Sequence, residues 1–450
     1  MKQEKSFFNN ICSIAIPVSL QSMLQSSFSI VDQIMIGQLG STSVASVGLA
    51  GKFTGIYNVL VAAFGAVAGI MIAQYLGQKN NREVKRSYYM NLIFSIVFAS
   101  IFTLCCLLVP KQIMRLYTSD TSTIEVAASY LEIVSGTFLP MAGATLLATL
   151  FRCMEKASYP LYASIIAASV NTVLNYILIF GKLGFKAMGV EGAAIATLFS
   201  QCINFLIMLV IYEHLKDSFP LKSRCDDETA SFNWHQYGAI LLPMLVCELF
   251  WSLGENVYAS IYGHLGTDSC AAMTLTYPVQ GLLIGALCGL AQASSVIIGK
   301  LLGEKKEEEA YDASKKIMLY ALIGSAMLSL VIILTRGLYV KIYHIAPDVK
   351  AITQKILFAY ALVAPFKVLN MTLGGGILRS GGKTKYLMYI DIIGTWIFGV
   401  PLGLLSAFIW HLSIPYVYFI LSLEECVRFI ITIFLFRSRK WMNILDAKKV

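Results

Sequence analysis

Apolar stretches of twenty or more residues alternate with short polar segments along the whole chain. Spans are expected at about 12–36, 44–74, 88–110, 128–150, 158–181, 189–212, 238–262, 270–299, 317–336, 353–378, 386–410 and 413–436. Each is long enough to cross a hydrocarbon core of ~30 Å. The second and eighth are too long to stand upright, which predicts tilt or extension beyond the bilayer. The fold class expected is an all-α integral membrane protein of twelve transmembrane helices in two pseudo-symmetric six-helix bundles.

The two bundles follow from a repeat. Pro17 in AIPVSLQ returns as Pro243 in LLPMLV, GQLG at 37–40 returns as GHLG at 263–266, and LGQK at 76–79 returns as LGEK at 302–305, all at an offset of 226. Deeper in each half the offset is 227, matching Arg152, Lys156, Tyr159 and Tyr162 to Arg379, Lys383, Tyr386 and Tyr389. Parallel repeats of this kind are typical of transporters, with substrate bound between the halves. The expected division is an N-lobe at 1–212, a cytoplasmic linker at 213–236 and a C-lobe at 237–450.

Composition changes the picture only by confirming the solvent. The chain is 57% hydrophobic and 14% charged, against roughly a quarter charged in a soluble domain. Its net charge of +9 is explained by topology. With the N-terminus inside, inner segments hold 24 Lys and Arg and outer loops hold 7, so both termini are expected in the cytoplasm of a multi-pass cell-membrane protein. The charge then serves attraction to anionic membrane lipids and gives no support to nucleic-acid binding. Ten cysteines contain no C-x-x-C pair and read as apolar filler. The five histidines have no metal-site spacing. There is no phosphate-loop motif, and the glycines at 374–376 and 381–382 read as helix termination at a cytoplasmic turn. No nucleophile with its base is recognisable, so no enzyme and no cofactor are expected.

Ionisable groups inside the apolar spans carry the candidate chemistry, because each is costly there and must face protein or water. Gln21, Gln25, Ser29 and Asp32 are spaced 4, 4 and 3 apart and share one helix face. Glu248, Ser252, Glu255 and Tyr262 repeat the device on the seventh helix, yet the repeat equates Glu255 with Ser29 and Asp32 with Tyr258. Lys367 and Asp391 are secondary candidates, and Glu424, Glu425 and Arg428 lie in the last span. Ser164, Asn171 and Asn175 form a stripe on the fifth helix, with Thr197 at comparable depth on the sixth. Asp32, Asn171, Asn175 and Thr197 together offer one carboxylate, two amide oxygens and a hydroxyl. Such a set suits Na+ or a proton as coupling ion.

SIVDQIMIGQLG, AQYLGQKN, LFRCMEKASYP, GGGILRSGGKTKY and NTVLNYILIFG followed by GAAIAT, together with the repeat, resemble the multidrug and toxic compound extrusion (MATE) family over essentially all 450 residues. The resemblance implies two six-helix lobes forming a V-shaped cavity that opens alternately to either side. It also implies export of organic, often cationic, small molecules against inward Na+ or H+, with no obligate protein partner. Asp32 matches the family's first-helix aspartate, Asn171 its fifth-helix asparagine, Thr197 its sixth-helix threonine and Glu255 the seventh-helix glutamate of the NorM-like branch. Two positions depart from the pattern. Asn175 stands where many members carry an aspartate, and FKVLNMTLGGGILR lacks the tenth-helix aspartate, with Lys367, Val368 and Asn370 near its place. The main rival reading is a flippase for lipid-linked oligosaccharide or peptidoglycan precursors, which would call for a strongly basic cavity, whereas Lys367 is the one clear mid-span cation in the sequence. A membrane sensor that binds without transporting is the second rival.

Overall fold

A computed structural model describes residues 2–222, 233–343 and 346–445. The expected linker lies partly outside the described residues. The chain continues beyond the sixth span as two short 3-10 turns, Lys216–Ser218 and Pro220–Lys222, before description resumes at Asn233.

Helices occupy the expected spans in order. They are α1 (Lys2–Gly37), α2 (Ser41–Gly77), α3 (Asn81–Leu108), α4 (Thr121–Ser135 with Phe138–Cys153), α5 (Ser158–Phe180) and α6 (Gly189–Leu215). The second half follows with α7 (Trp234–His264), α8 (Thr267–Gly303), α9 (Glu307–Lys341), α10 (Pro347–Leu378), α11 (Thr384–Ile409) and α12 (Ile414–Ser422 with Glu424–Arg437). Among the described residues ten are single helices long and apolar enough to cross a membrane, and α4, bent by 47°, makes an eleventh. The twelfth is α12, which carries Glu424, Glu425 and Arg428. At 37 residues each, α2 and α8 run about 55 Å at 1.5 Å per residue, well beyond a ~30 Å core.

Local chemistry starts several helices. Asn80 Oδ1 accepts from Glu83 N at 3.2 Å, Asp120 Oδ2 from Thr123 N at 3.1 Å and Asn233 Oδ1 from Gln236 N at 2.9 Å, the capping bonds that satisfy orphan N–H groups. Pro17 and Pro243, related by the repeat, lie inside α1 and α7. The glycines at 374–376 do not end α10. They sit in a π-helical turn over Leu373–Leu378, and the chain turns at Gly382, where φ is +71°. Glycine tolerates the widened turn as well as a stop, so the glycines at 374–376 read as termination although the helix runs to Leu378, the expected end of the span.

Two compact units are present, and their limits differ from the simple halves. One comprises Leu20–Ile72 and Asn80–Glu228; the other comprises Met1–Ser19, Ala73–Lys79 and Thr229–Val450. The first packs around Tyr57, whose hydroxyl donates to Phe138 O at 2.6 Å and whose ring stacks on Phe138 with centroids 4.2 Å apart. Ala50, Ala99, Ala127 and Ala142 surround it, small residues that let apolar helices approach. In the second unit, α8 and the end of α2 meet almost backbone to backbone. A Cβ at Gly303 would stand 2.0 Å from Gln74 O, and one at Gly77 2.1 Å from Lys300 O.

Gln74, fully buried, secures this crossing. Its Nε2 donates to Ser380 O at 2.6 Å and Asn443 O at 3.0 Å, while its Oε1 accepts from Leu445 N at 2.8 Å. Gln78 Nε2 adds a bond to Leu445 O at 2.7 Å. Replacing Gln74 by Leu removes three buried bonds worth ~1 kcal/mol each. We predict that Gln74→Leu lowers the thermal unfolding midpoint of the purified protein about three times as far as Gln78→Ala does; equal shifts would contradict the geometry.

Candidate functional site

In the first unit the helical stripes read from the sequence meet. Gln21 Nε2 on α1 donates to Ser164 Oγ on α5 at 2.7 Å, which aligns the two polar faces. Asn175 Nδ2 then donates to Asp32 Oδ1 at 2.7 Å. Asn171 completes the group in either of two amide orientations. With its oxygen turned to Asp32 it accepts from Asn175 Nδ2 at 3.1 Å. With its nitrogen there it donates to Asp32 Oδ1 at 2.9 Å and Oδ2 at 3.2 Å.

The two orientations suit different charge states. An amide nitrogen facing both oxygens stabilises an ionised carboxylate. An amide oxygen in the same place needs a proton on the carboxyl or a cation shared between the oxygens. Asn175 is 1% exposed, and its Oδ1 has no hydrogen-bond donor among the described residues. A buried acceptor without a donor beside a carboxylate is the kind of group that a cation or a water satisfies.

Other predicted residues stand apart from this trio. Thr197 donates to Ala193 O within its own helix at 2.9 Å, and it makes no hydrogen bond to the trio among the described residues. Gln25 and Ser29 are exposed on the α1 face.

The second unit holds a larger polar system. A cavity of about 290 Å³ is lined by Glu248, Asp391 and Glu425 on the acidic side and by Lys367, Arg379 and Arg428 on the basic side. Glu248 accepts from Arg379 at 3.3 Å. Asp391 lies 3.6 Å from Arg428 and accepts from the Cys247 thiol at 2.7 Å. Arg428, only 8% exposed, is also 3.6 Å from Glu424 and donates to Thr395 Oγ1. Tyr258 donates to Glu424. Asn370 Nδ2 donates to Glu425 Oε2 at 2.8 Å. A second cavity of about 60 Å³ is lined by Glu255, Glu424, Glu425, Lys367 and the tyrosines 258, 262, 277, 360 and 418.

Arg428 fits because α11 is unwound into a π-helical segment at Ile392–Gly399. A Cβ at Gly394 would stand 2.4 Å from Arg428 Nε, and one at Gly399 2.2 Å from Glu424 Oε2. Sequence reasoning singled out Glu248, Glu255, Lys367 and Asp391, and noted Glu424, Glu425 and Arg428 without placing them. It named Arg379, Asn370, Tyr258 and Tyr262 without assigning them to a site, and missed Tyr277, Tyr360 and Tyr418. Lys367 does not stand alone at this cavity: Arg428 within α12 and Arg379 at the end of α10 line it too, each bound to carboxylates. The signal that could have found them is the 227 offset, which places Glu424 at the counterpart of Thr197 and Arg379 at that of Arg152.

Removing Arg428 strands the buried carboxylate of Glu424 and the half-buried one of Asp391, and breaking a buried pair typically costs about 3–5 kcal/mol. We predict that Arg428→Met sharply lowers the unfolding midpoint and that adding Glu424→Gln or Asp391→Asn recovers part of the loss. A double variant no more stable than Arg428→Met alone would refute the pairing.

Comparison with known proteins agrees with this architecture. The MatE family model matches residues 17–177 and 243–405, one match in each repeat. The chain is 22% identical to the probable multidrug resistance protein NorM of Thermotoga maritima, over 96% of this chain and 92% of that one. It is 21% identical to the uncharacterized transporter YisQ of Bacillus subtilis, over 98% and 96%. A crystal structure of MATE in complex with MaL6 superposes with a TM-score of 0.88 at 20% identity, covering 96% of this chain and 95% of that one. A MOP superfamily transporter from Pyrococcus furiosus gives 0.86 at 20% identity, covering 98% and 96%. The solved structures share the fold, and the family match spans both halves: this chain belongs to the MatE family of membrane transporters.

Proposed function

We propose that this protein is a secondary active exporter of organic, often cationic, compounds, driven by antiport of Na+ or H+ and coupled at Asp32. The observation that carries the proposal is the Asp32 carboxylate held by the amides of Asn171 and Asn175, beside a buried Asn175 oxygen that lacks a donor among the described residues. Membership of the MatE family and relatives such as NorM and MdtK, both named as multidrug resistance proteins, support the substrate class.

An ion arriving from outside binds Asp32 and takes over the role of the amide hydrogens. The Asn171 amide turns its oxygen toward the new proton or cation, and the packing of α1 against α5 changes with it. Loss of the negative charge weakens the hold on a cationic substrate, which leaves outward. The ion-loaded protein then opens inward, releases the ion and accepts substrate. Each ligand must bind one state better than the other for this cycle to turn, and alternating access within a repeated scaffold supplies the two states. Both termini face the cytoplasm in this reading, following the distribution of Lys and Arg.

The test is ethidium uptake into inverted membrane vesicles under imposed Na+ or H+ gradients. We predict uptake driven by one gradient and its loss, to the level of empty-vector vesicles, in Asp32→Asn. Gradient-driven uptake that survives the substitution would move coupling to another carboxylate such as Glu255, and no uptake under either gradient would refute the antiport reading. Orientation is checked separately: a C-terminal green fluorescent protein fusion is expected to fluoresce and an alkaline phosphatase fusion to be inactive, and the reverse pattern would invert the topology.

A further inference from the structure

The charged groups of the second unit pair off unevenly. Arg379 is committed to Glu248, and Arg428 to Glu424 and Asp391. Glu425 is held by a neutral partner, Asn370. Of the cations that line the two cavities, that leaves Lys367, which makes no hydrogen bond and no close ion pair among the described residues. Lys367 nevertheless lines both cavities, as does Glu425, and the smaller cavity adds Glu255 and Glu424. These three glutamates are the carboxylates that line the smaller cavity with it.

Size decides what the smaller space can hold. At about 60 Å³ it has room for a few water molecules, which is space enough for a small ion. It is walled by tyrosine rings and carries more acid than base. Such a place attracts a small monovalent cation, and it already contains an ammonium attached to the chain. Charges separated by more than contact distance still interact strongly where protein replaces water.

We propose that the Lys367 ammonium is the resident cation of this site: it offsets the negative charge that Glu255 and Glu425 bring to it from within the chain and so keeps free Na+ out of the C-terminal half. A second monovalent cation admitted to the same space would be repelled at close range, and the carboxylates would gain little from it. Lys367 is thus a positioning residue that confines coupling to Asp32. The proposal rests on the antiport reading for that last consequence alone, because occupancy of the site can be read without transport.

The test is equilibrium binding of radioactive sodium to purified protein at mildly alkaline pH, in an Asp32→Asn background that removes the first site. Asp32→Asn is expected to show no saturable binding. Asp32→Asn with Lys367→Ala is expected to gain one saturable site, competed by unlabelled Na+, and the same background with Lys367→Arg is expected to gain none. Saturable binding in Asp32→Asn alone would overturn the proposal, since a free ion would then share the site with the ammonium. So would the absence of a new site in a monodisperse Lys367→Ala protein. If Lys367→Ala does not yield monodisperse protein, Lys367→Met in the same background is scored by the same criterion. Failure of ethidium transport in the otherwise unmodified protein would count against the antiport reading and leave the binding result to stand by itself.

Discussion

Taking an ionised side chain out of water costs several kcal/mol even after the protein relaxes, and a chain made of apolar spans must meet that cost wherever it keeps a charge. Arg428 meets it most fully. Its guanidinium lies between Glu424 and Asp391 and donates to Thr395, and the π-helical turns of α11 with Gly394 and Gly399 exist at the place where those groups need room. The glycines here follow from the charge, because a side chain at either would collide with the pair. Asp391 in turn anchors Cys247 on α7, so three helices take their register from one cation.

The duplicated scaffold carries unlike chemistry in its two copies. The repeat equates Asp32 with Tyr258 and Thr197 with Glu424. In the first copy the carboxylate is on the first helix of the bundle and its donors are amides on the fifth. In the second the carboxylate has moved to the last helix and the group at the Asp32 position is a phenol that donates to it. Each copy therefore satisfies one carboxylate near the same depth by a different division of donor and acceptor. An intramembrane polar group needs a partner, and which helix supplies the acid is free to change as long as the pair is kept.

Much of this was legible from spacing. The stripe Gln21, Gln25, Ser29, Asp32 and the stripe Ser164, Asn171, Asn175 each follow helical periodicity, and the Gln21–Ser164 and Asp32–Asn175 bonds join them at two levels. The twelve spans were legible for the same reason, since length and apolarity are local properties. Tertiary facts were not. Arg379 sits at the end of α10 and looks like a boundary charge until Glu248 is seen opposite it. The run of glycines at 374–376 reads as a stop because π-helical turns have no sequence period of their own. Ala73–Lys79 joins the second unit through a close crossing with α8 and through a buried glutamine whose partners are some 300 residues away or more.

The two carboxylate environments also differ in how easily each can change charge. Glu424 is held by a guanidinium, and neutralising it would leave Arg428 with one acid fewer, a change of the size associated with breaking a buried ion pair, about 3–5 kcal/mol. Asp32 is held by amides. Bonds from neutral donors to a charged acceptor are worth about 1.5–3 kcal/mol, and Asn171 can recover one of them by turning its oxygen to the incoming proton or cation. A group that must load and unload an ion in every cycle is better served by the second arrangement. Its partner changes orientation where the first would have to lose a counter-charge, and the asparagine at position 175, where a second carboxylate would have raised the cost of emptying the site, works in the same direction.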